Sequence, residues 1–144
     1  MPTIAAIWIK RFKGGPMDPV LFAELVAGRG LRGNANQGGK RQVTLIAEES
    51  WRDAEAALGV TAHPSTRRAN VMLRGVDLEK SRGRILRIGD TRLRIYGETR
   101  PCHQMEEALP GLRKALDPHW RGGAFAEVLS GGVIRVGDKA AWDE

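Results

Sequence analysis

Three groups of residues in this sequence have the types and spacing to do chemistry. The first is Thr99-Arg100-Pro101-Cys102, which carries the single cysteine of the chain. A thiol that follows an arginine and precedes a helical segment can have its thiolate favoured by the positive charge and the helix dipole. Pro101 lacks an N–H and has a fixed φ, so it stiffens the approach to the thiol. Cys102 therefore suits a nucleophile, a sulfur carrier or a soft-metal ligand. It equally suits a small buried apolar side chain. The second group is Gly30-Leu31-Arg32-Gly33-Asn34, running on to Lys40-Arg41-Gln42. Its glycines can expose backbone N–H groups beside Arg32, Lys40 and Arg41 and so cradle an anion, or the stretch is a surface loop. It is neither a Walker loop nor a dinucleotide fingerprint. The third is Arg67-Arg68-Ala69-Asn70, in which two guanidinium forks and an amide can bind phosphate or carboxylate. Solvated charges at a strand edge would give the same pattern.

Other chemistry is limited by what the chain contains. One cysteine excludes an internal disulfide and any multi-cysteine zinc site. His63, His103 and His119 lack zinc-motif spacing. His103 adjoins Cys102, and neighbours on a strand face opposite ways unless a turn intervenes; His119 could instead reach the thiol through the fold, and the proton acceptor of Cys102 is left unassigned. The formal net charge of +6 favours anionic partners without choosing among them. Aromatic residues make up 6%, and they do not interleave with the cations as a single-strand nucleic-acid groove requires.

Elements must position these groups. A chain of 144 residues, 42% hydrophobic and 28% charged, is expected to form a single domain over residues 1–144. No apolar run approaches a membrane span, and the start lacks a secretory pattern, so a cytoplasmic protein is expected. Strands are expected at Ile4–Ile9, Arg41–Ile46, Ala69–Leu73 and Ala124–Leu129, with Val20–Val26 open between strand and helix. The stretch Gly28–Gly39 holds five glycines and is expected as an exposed loop. Glu48–Leu58 predicts a helix, led by acidic residues and stopped by Gly59. A second helical piece, Gln104–Leu116, breaks at Pro110-Gly111. Two segments alternate apolar and basic residues up to a Gly-Asp pair, Gly89-Asp90 and Gly137-Asp138, and each predicts a hairpin turn. Trp8, Trp51, Trp120 and Trp142 are expected as core or edge-packing residues. The fold class is α+β, mainly β: a β-barrel or folded sheet with a few short helices.

The order of these motifs resembles that of the MOSC domain, the C-terminal domain of molybdenum cofactor sulfurases. The resemblance runs from Lys13-Gly14-Gly15-Pro16-Met17-Asp18-Pro19-Val20 through Gly30-Leu31-Arg32-Gly33-Asn34 and Arg41-Gln42-Val43-Thr44-Leu45-Ile46. It continues through Arg68-Ala69-Asn70-Val71, Ile88-Gly89-Asp90 and Arg100-Pro101-Cys102. It closes on Arg121-Gly122-Gly123-Ala124-Phe125-Ala126-Glu127-Val128 with Val136-Gly137-Asp138. The resemblance implies a MOSC-like β-barrel that binds the molybdenum cofactor (molybdopterin), a pterin bearing a phosphate. Pyridoxal phosphate binding, another phosphorylated anion, is a further implication. Cys102 would ligate molybdenum in the reduction of N-hydroxylated compounds, or carry sulfur. Arg32, Lys40, Arg41, Arg67, Arg68, Asn70 and Arg100 would hold the cofactor. The family loop often continues Gly-Asp to a histidine, where this chain has Gly33-Asn34-Ala35-Asn36. The implied partners are a separate electron donor or sulfur donor protein, with no membrane and no nucleic acid. The competing reading is a non-catalytic basic module for an anionic partner such as nucleic acid, with Cys102 structural.

Overall fold

The computed structural model describes residues 2–143. Among these residues eleven strands and three α-helices follow one another as a mixed α+β fold, mostly sheet. The β-prone run at the start forms β1 (Thr3–Lys10), followed by β2 (Met17–Val20) and β3 (Phe22–Val26). The stretch left open between strand and helix is thus extended. Next come β4 (Gly30–Leu31), β5 (Val43–Ala47), α1 (Glu48–Leu58) and β6 (Val71–Arg74). The hairpin β7 (Ile85–Ile88) and β8 (Thr91–Glu98) turns at Gly89-Asp90, as expected. The second helical piece is broken at Pro110-Gly111 into α2 (His103–Ala108) and α3 (Leu112–Leu116). The chain ends with β9 (Ala124–Ser130), β10 (Gly132–Arg135) and β11 (Ala140–Trp142).

Eight strands pair in the order β11-β7-β8-β9-β5-β6-β1-β2, and three more in the order β10-β3-β4. Among the described strands only β5 and β6 pair in parallel, because α1 carries the chain back between them. The barrel expected from the sequence is met only in part, since the pairing order is open, with β11 and β2 at its ends. The start of β1 nonetheless bonds to the segment before β11. Ile4 N donates to Asp138 O at 2.9 Å and Gly137 N donates to Ile4 O at 2.9 Å.

The same bonds correct two expectations. Gly137-Asp138 makes a turn, but β10 pairs with β3 and β11 with β7, so it is no hairpin. The backbone of the turn is taken by Ile4, and the two flanking strands are sent to different sheets. The Gly28–Gly39 stretch is not wholly an exposed loop either. It contains β4, whose Leu31 is fully buried, and buried Asn34.

The main core lies between the sheets, built from the alternate apolar residues of β1, β5, β8 and β9. A second cluster joins Trp51 and Ala54 of α1 to Met105 of α2 and Leu112, Ala115 and Leu116 of α3. Trp8 and Trp51 are buried, while Trp120 and Trp142 pack against the main core. At the start of α1, Glu48 accepts two hydrogen bonds from Arg74, from Nε at 2.8 Å and Nη2 at 3.0 Å. The Arg74 hydrogen bond, outweighing the opposing effect of burial, holds the Glu48 carboxyl below the usual carboxylate value. A depressed acid contributes stability above its unfolded pKa and loses it as pH falls through the folded one. Glu48→Gln is therefore expected to lower stability near neutral pH, with the difference vanishing once the pH drops below the carboxylate range. Urea unfolding of both proteins across acidic pH reads this directly.

Candidate functional site

The candidate site lies where β1 and β8 end and where β6 and β9 begin. The cleft there measures about 190 Å³. Lys10, the last residue of β1, lines it together with Arg41, Arg67 and Arg68, Arg100 and the thiol of Cys102. No Asp or Glu side chain is among its lining residues. Several cations thus line one cleft with a thiol, and of them Arg100 faces Glu98 at 3.8 Å.

Arg67 is the deepest of the cations, 8% exposed at the end of a 3-10 turn that begins at Pro64. Its Nε donates to Gly122 O at 2.9 Å and its Nη2 donates to Thr99 O at 3.0 Å. These bonds reach across 55 and 32 residues of sequence and fasten the strand ends around the cleft. Both acceptors are neutral carbonyls, so they satisfy the fork without neutralising its charge. Burial lowers the Arg67 pKa from the ordinary arginine value; a Cys102 thiolate acts to raise it, and Arg41 to lower it further. A buried guanidinium without a carboxylate is costly unless an anion joins it.

The segment Thr99–Cys102 is placed by close backbone approach. Gly122 allows it, since a Cβ there would stand 2.4 Å from Thr99 O, and Gly123 allows the neighbouring approach to β5. A Cβ on Gly123, whose φ is +97°, would stand 2.0 Å from Leu45 O. Cys102 then occupies the N-cap position of α2, half-buried, with its carbonyl accepting from Met105 N at 3.0 Å. Met105 sits in the helical cluster, so packing on α1 and α3 fixes where the thiol stands. Thr99, 7% exposed, lines the cleft with a hydroxyl that has no hydrogen-bond partner among the described residues. Arg121 Nε, which does not line the cleft, is likewise buried without a partner among the described residues.

Asn70 and Asn34 build the opposite wall. The Asn70 amide donates to Trp8 O and to Asn34 Oδ1, both at 3.2 Å, and its oxygen accepts from Thr44 N and Oγ1, both at 3.1 Å. Its capacity is filled by protein. Asn70 therefore holds β1, β5 and the Asn34 loop together and shapes the cleft. Asn34, where the loop departs from the family pattern, accepts from Lys10 N at 2.9 Å and pins the end of β1.

Of the residues singled out in the sequence, Cys102, Arg41, Arg67, Arg68, Asn70 and Arg100 come together here. Arg32 and Lys40 do not line the cleft. Arg32 is exposed on another face and bonds Glu24 at 2.7 Å, and Lys40 lies exposed before β5. None of the histidines lines the cleft. His119 holds Glu79 at 3.0 Å instead of approaching Cys102, and His63 caps the turn at Pro64. Sequence reasoning missed Lys10, and it quoted Asn34 and Thr99 within motifs without giving either a place in the site. Each stands at or beside a strand end or glycine turn, which is the signal that could have drawn attention to them.

Burial, then the like charges of Arg68 and Lys13, holds the Lys10 ammonium below the ordinary lysine value. An anion in the cleft favours the charged form, so at alkaline pH its binding is expected to take up a proton. Phosphate titrations in two buffers of different ionisation enthalpy check this, with Lys10→Met abolishing the uptake.

The model of the MOSC domain family matches residues 10–141, and the chain belongs to this family. Among solved structures, YuaD from Bacillus subtilis superposes with a TM-score of 0.83 at 21% identity, over 97% of this chain and 94% of that one. YiiM from Geobacillus stearothermophilus follows with 0.82 at 20%, over 100% and 76%. YiiM from Escherichia coli gives 0.73 at 14%, over 99% and 70%. These likenesses concern the fold. No protein with a curated description matches the sequence. No helix among the described residues is long and apolar enough to cross a membrane.

Proposed function

We propose that the chain acts as a single domain that binds the molybdenum cofactor, with Cys102 as metal ligand or sulfur carrier. The observation that carries this reading is a cleft lined by Lys10, Arg41, Arg67, Arg68 and Arg100 together with the Cys102 thiol and by no carboxylate. The chemistry of that set fits the cofactor: guanidinium forks suit a phosphate, and a thiolate suits a soft metal or a persulfide. Arg67 and Arg68 would hold the phosphate, with Arg41 and Arg100 at the exposed rim. When bound, the cofactor supplies two-electron redox chemistry suited to reducing N-hydroxylated compounds. The protein's part is to bind, orient and keep the thiol at a fixed place on α2. Electrons or sulfur would come from a separate donor protein in the cytoplasm. The link between β1 and the segment before β11 supports reading the sheet as a MOSC barrel.

The nucleic-acid reading has less support. Away from the cleft many cations face carboxylates, as in Arg11–Asp18 at 3.2 Å, Arg74–Glu48 at 2.8 Å and Arg94–Glu127 at 2.9 Å. The cleft, about 190 Å³, is sized for a compact anionic group rather than for a strand-binding groove. Protein from a cofactor-producing host is expected to contain pterin and molybdenum in near-equal amounts, with molybdenum falling sharply in Cys102→Ser. Absence of both from the unaltered protein would overturn the reading.

A further inference from the structure

The cations that line the cleft are not alike. Arg41, Arg67, Arg68 and Arg100 are guanidinium groups and stay protonated, whereas Lys10 can shed its proton and act as a nucleophile. We infer that Lys10 condenses with small aldehydes that carry a phosphate, forming an imine inside the cleft. The inference rests on the anion-binding cleft of the reading above, and needs neither the cofactor nor Cys102.

The fold sets Lys10 apart from an ordinary surface lysine. Its backbone is pinned at the end of β1: Lys10 N donates to Asn34 Oδ1 at 2.9 Å, and Lys10 O accepts from Ala35 N at 2.6 Å. The side chain is half-buried, and no Asp or Glu lines the cleft to hold its ammonium. The charges that act on it are the like charges of Arg68 and Lys13. Burial and like charge both favour the neutral amine, which is the form that attacks a carbonyl. The arginines beside it match phosphate oxygens, so they can hold an aldehyde by its phosphate. A cleft of about 190 Å³ has room for a phosphate with a short aldehyde arm.

The step balances without an oxidant or reductant. The Lys10 ammonium gives a proton to solvent, and the amine attacks the aldehyde carbon. A bond forms between Nζ and that carbon, while the carbonyl oxygen takes up a proton to give a carbinolamine. The C–O bond then breaks, water leaves with its electron pair, and the imine remains. Once protonated, the iminium carries the same charge as the ammonium it replaces, so the balance with the bound phosphate is kept.

The test uses full-length protein from a host that makes no molybdenum cofactor. It is incubated with glycolaldehyde phosphate and cyanoborohydride, which reduces an imine to a stable amine. Peptide mass mapping is expected to place a single phosphoethyl group on Lys10, about tenfold faster than on the exposed Lys80 and Lys114. Inorganic phosphate is expected to slow the labelling of Lys10 and not of those lysines, and neutral glycolaldehyde to favour Lys10 far less. Lys10→Arg keeps the charge and removes the nucleophile, so it is expected to bind phosphate in calorimetry and to lose the fast, phosphate-sensitive labelling. Labelling spread evenly over the lysines would overturn the inference. So would fast labelling of Lys10 that phosphate leaves untouched, because the cleft would then play no part. Phosphate bound in calorimetry with Lys10 unlabelled would remove the inference and leave the anion cleft standing. Pterin and molybdenum content in a cofactor-producing host is measured separately, so either reading can fail alone.

Discussion

Replacing Arg67 by methionine is expected to weaken anion binding in the cleft roughly ten- to hundredfold, as loss of a charge-assisted contact does. The fold should suffer less than the binding. Methionine leaves Gly122 O and Thr99 O without their donor, which costs about 1–3 kcal/mol for an orphaned buried group. It also removes a buried charge that no carboxylate neutralises, which returns part of that cost. Net destabilisation of about 1–3 kcal/mol therefore accompanies a much larger fractional loss of affinity. Arg67→Lys separates the two effects. It keeps the charge and loses the fork that reaches two carbonyls, so it should bind anions better than the methionine variant while remaining destabilised. Titration with phosphate followed by calorimetry, beside urea unfolding, measures both. Equal anion affinity in all three proteins would remove Arg67 from the site.

Gly123→Ala is expected to be the most damaging single methyl in the chain, at roughly 2–5 kcal/mol when left-handed strain and overpacking add. The new Cβ would lie 2.0 Å from Leu45 O and 3.0 Å from Ile46 Cγ2, and neither has room to move within the core. Gly28→Ala is the control. Its φ of +72° imposes similar backbone strain, but a Cβ there meets nothing within 4 Å. It should lose only about 1–2 kcal/mol. Because Gly123 O accepts from Thr99 N at 2.9 Å, Gly123→Ala should also lower anion affinity in the fraction that folds. Thermal and urea unfolding of the two variants decide the matter, and equal losses would mean that strain alone, not close packing, selects glycine here.

The parts of this fold legible in the sequence are those set by local physics. The helix Glu48–Leu58 was readable from its acidic start, the spacing of Trp51, Ala54 and Leu58, and the left-handed Gly59 that ends it. The Gly89-Asp90 hairpin was readable because the ladder on both sides alternates and the turn residue has φ +56°. Its apparent twin at Gly137-Asp138 misled, since β1 captures that turn from the other end of the chain. Local pattern does not encode which strand will compete for a backbone group.

The site divides in the same way. Cys102, Arg67, Arg68 and Arg100 could be singled out by residue type and neighbours. Arg32 looked equivalent, but its partner Glu24 comes from β3, which pairs with β4 beside it. Lys10 belongs to none of the quoted motifs, and Thr99 stood in one only as a neighbour of Cys102. Their place in the cleft follows from where β1 and β8 stop, and that depends on pairings across the whole sheet. Asn70 was legible as a site residue though not in its role, which is to tie Trp8, Asn34 and Thr44 together.

X-ray absorption at the molybdenum edge, on protein loaded with cofactor, tests the central claim most directly. The account predicts a sulfur scatterer at the metal that is lost in Cys102→Ser, or loss of the metal altogether in that variant. A molybdenum spectrum unchanged by the substitution would contradict it, because the cofactor would then lie away from the one thiol around which the cleft is built.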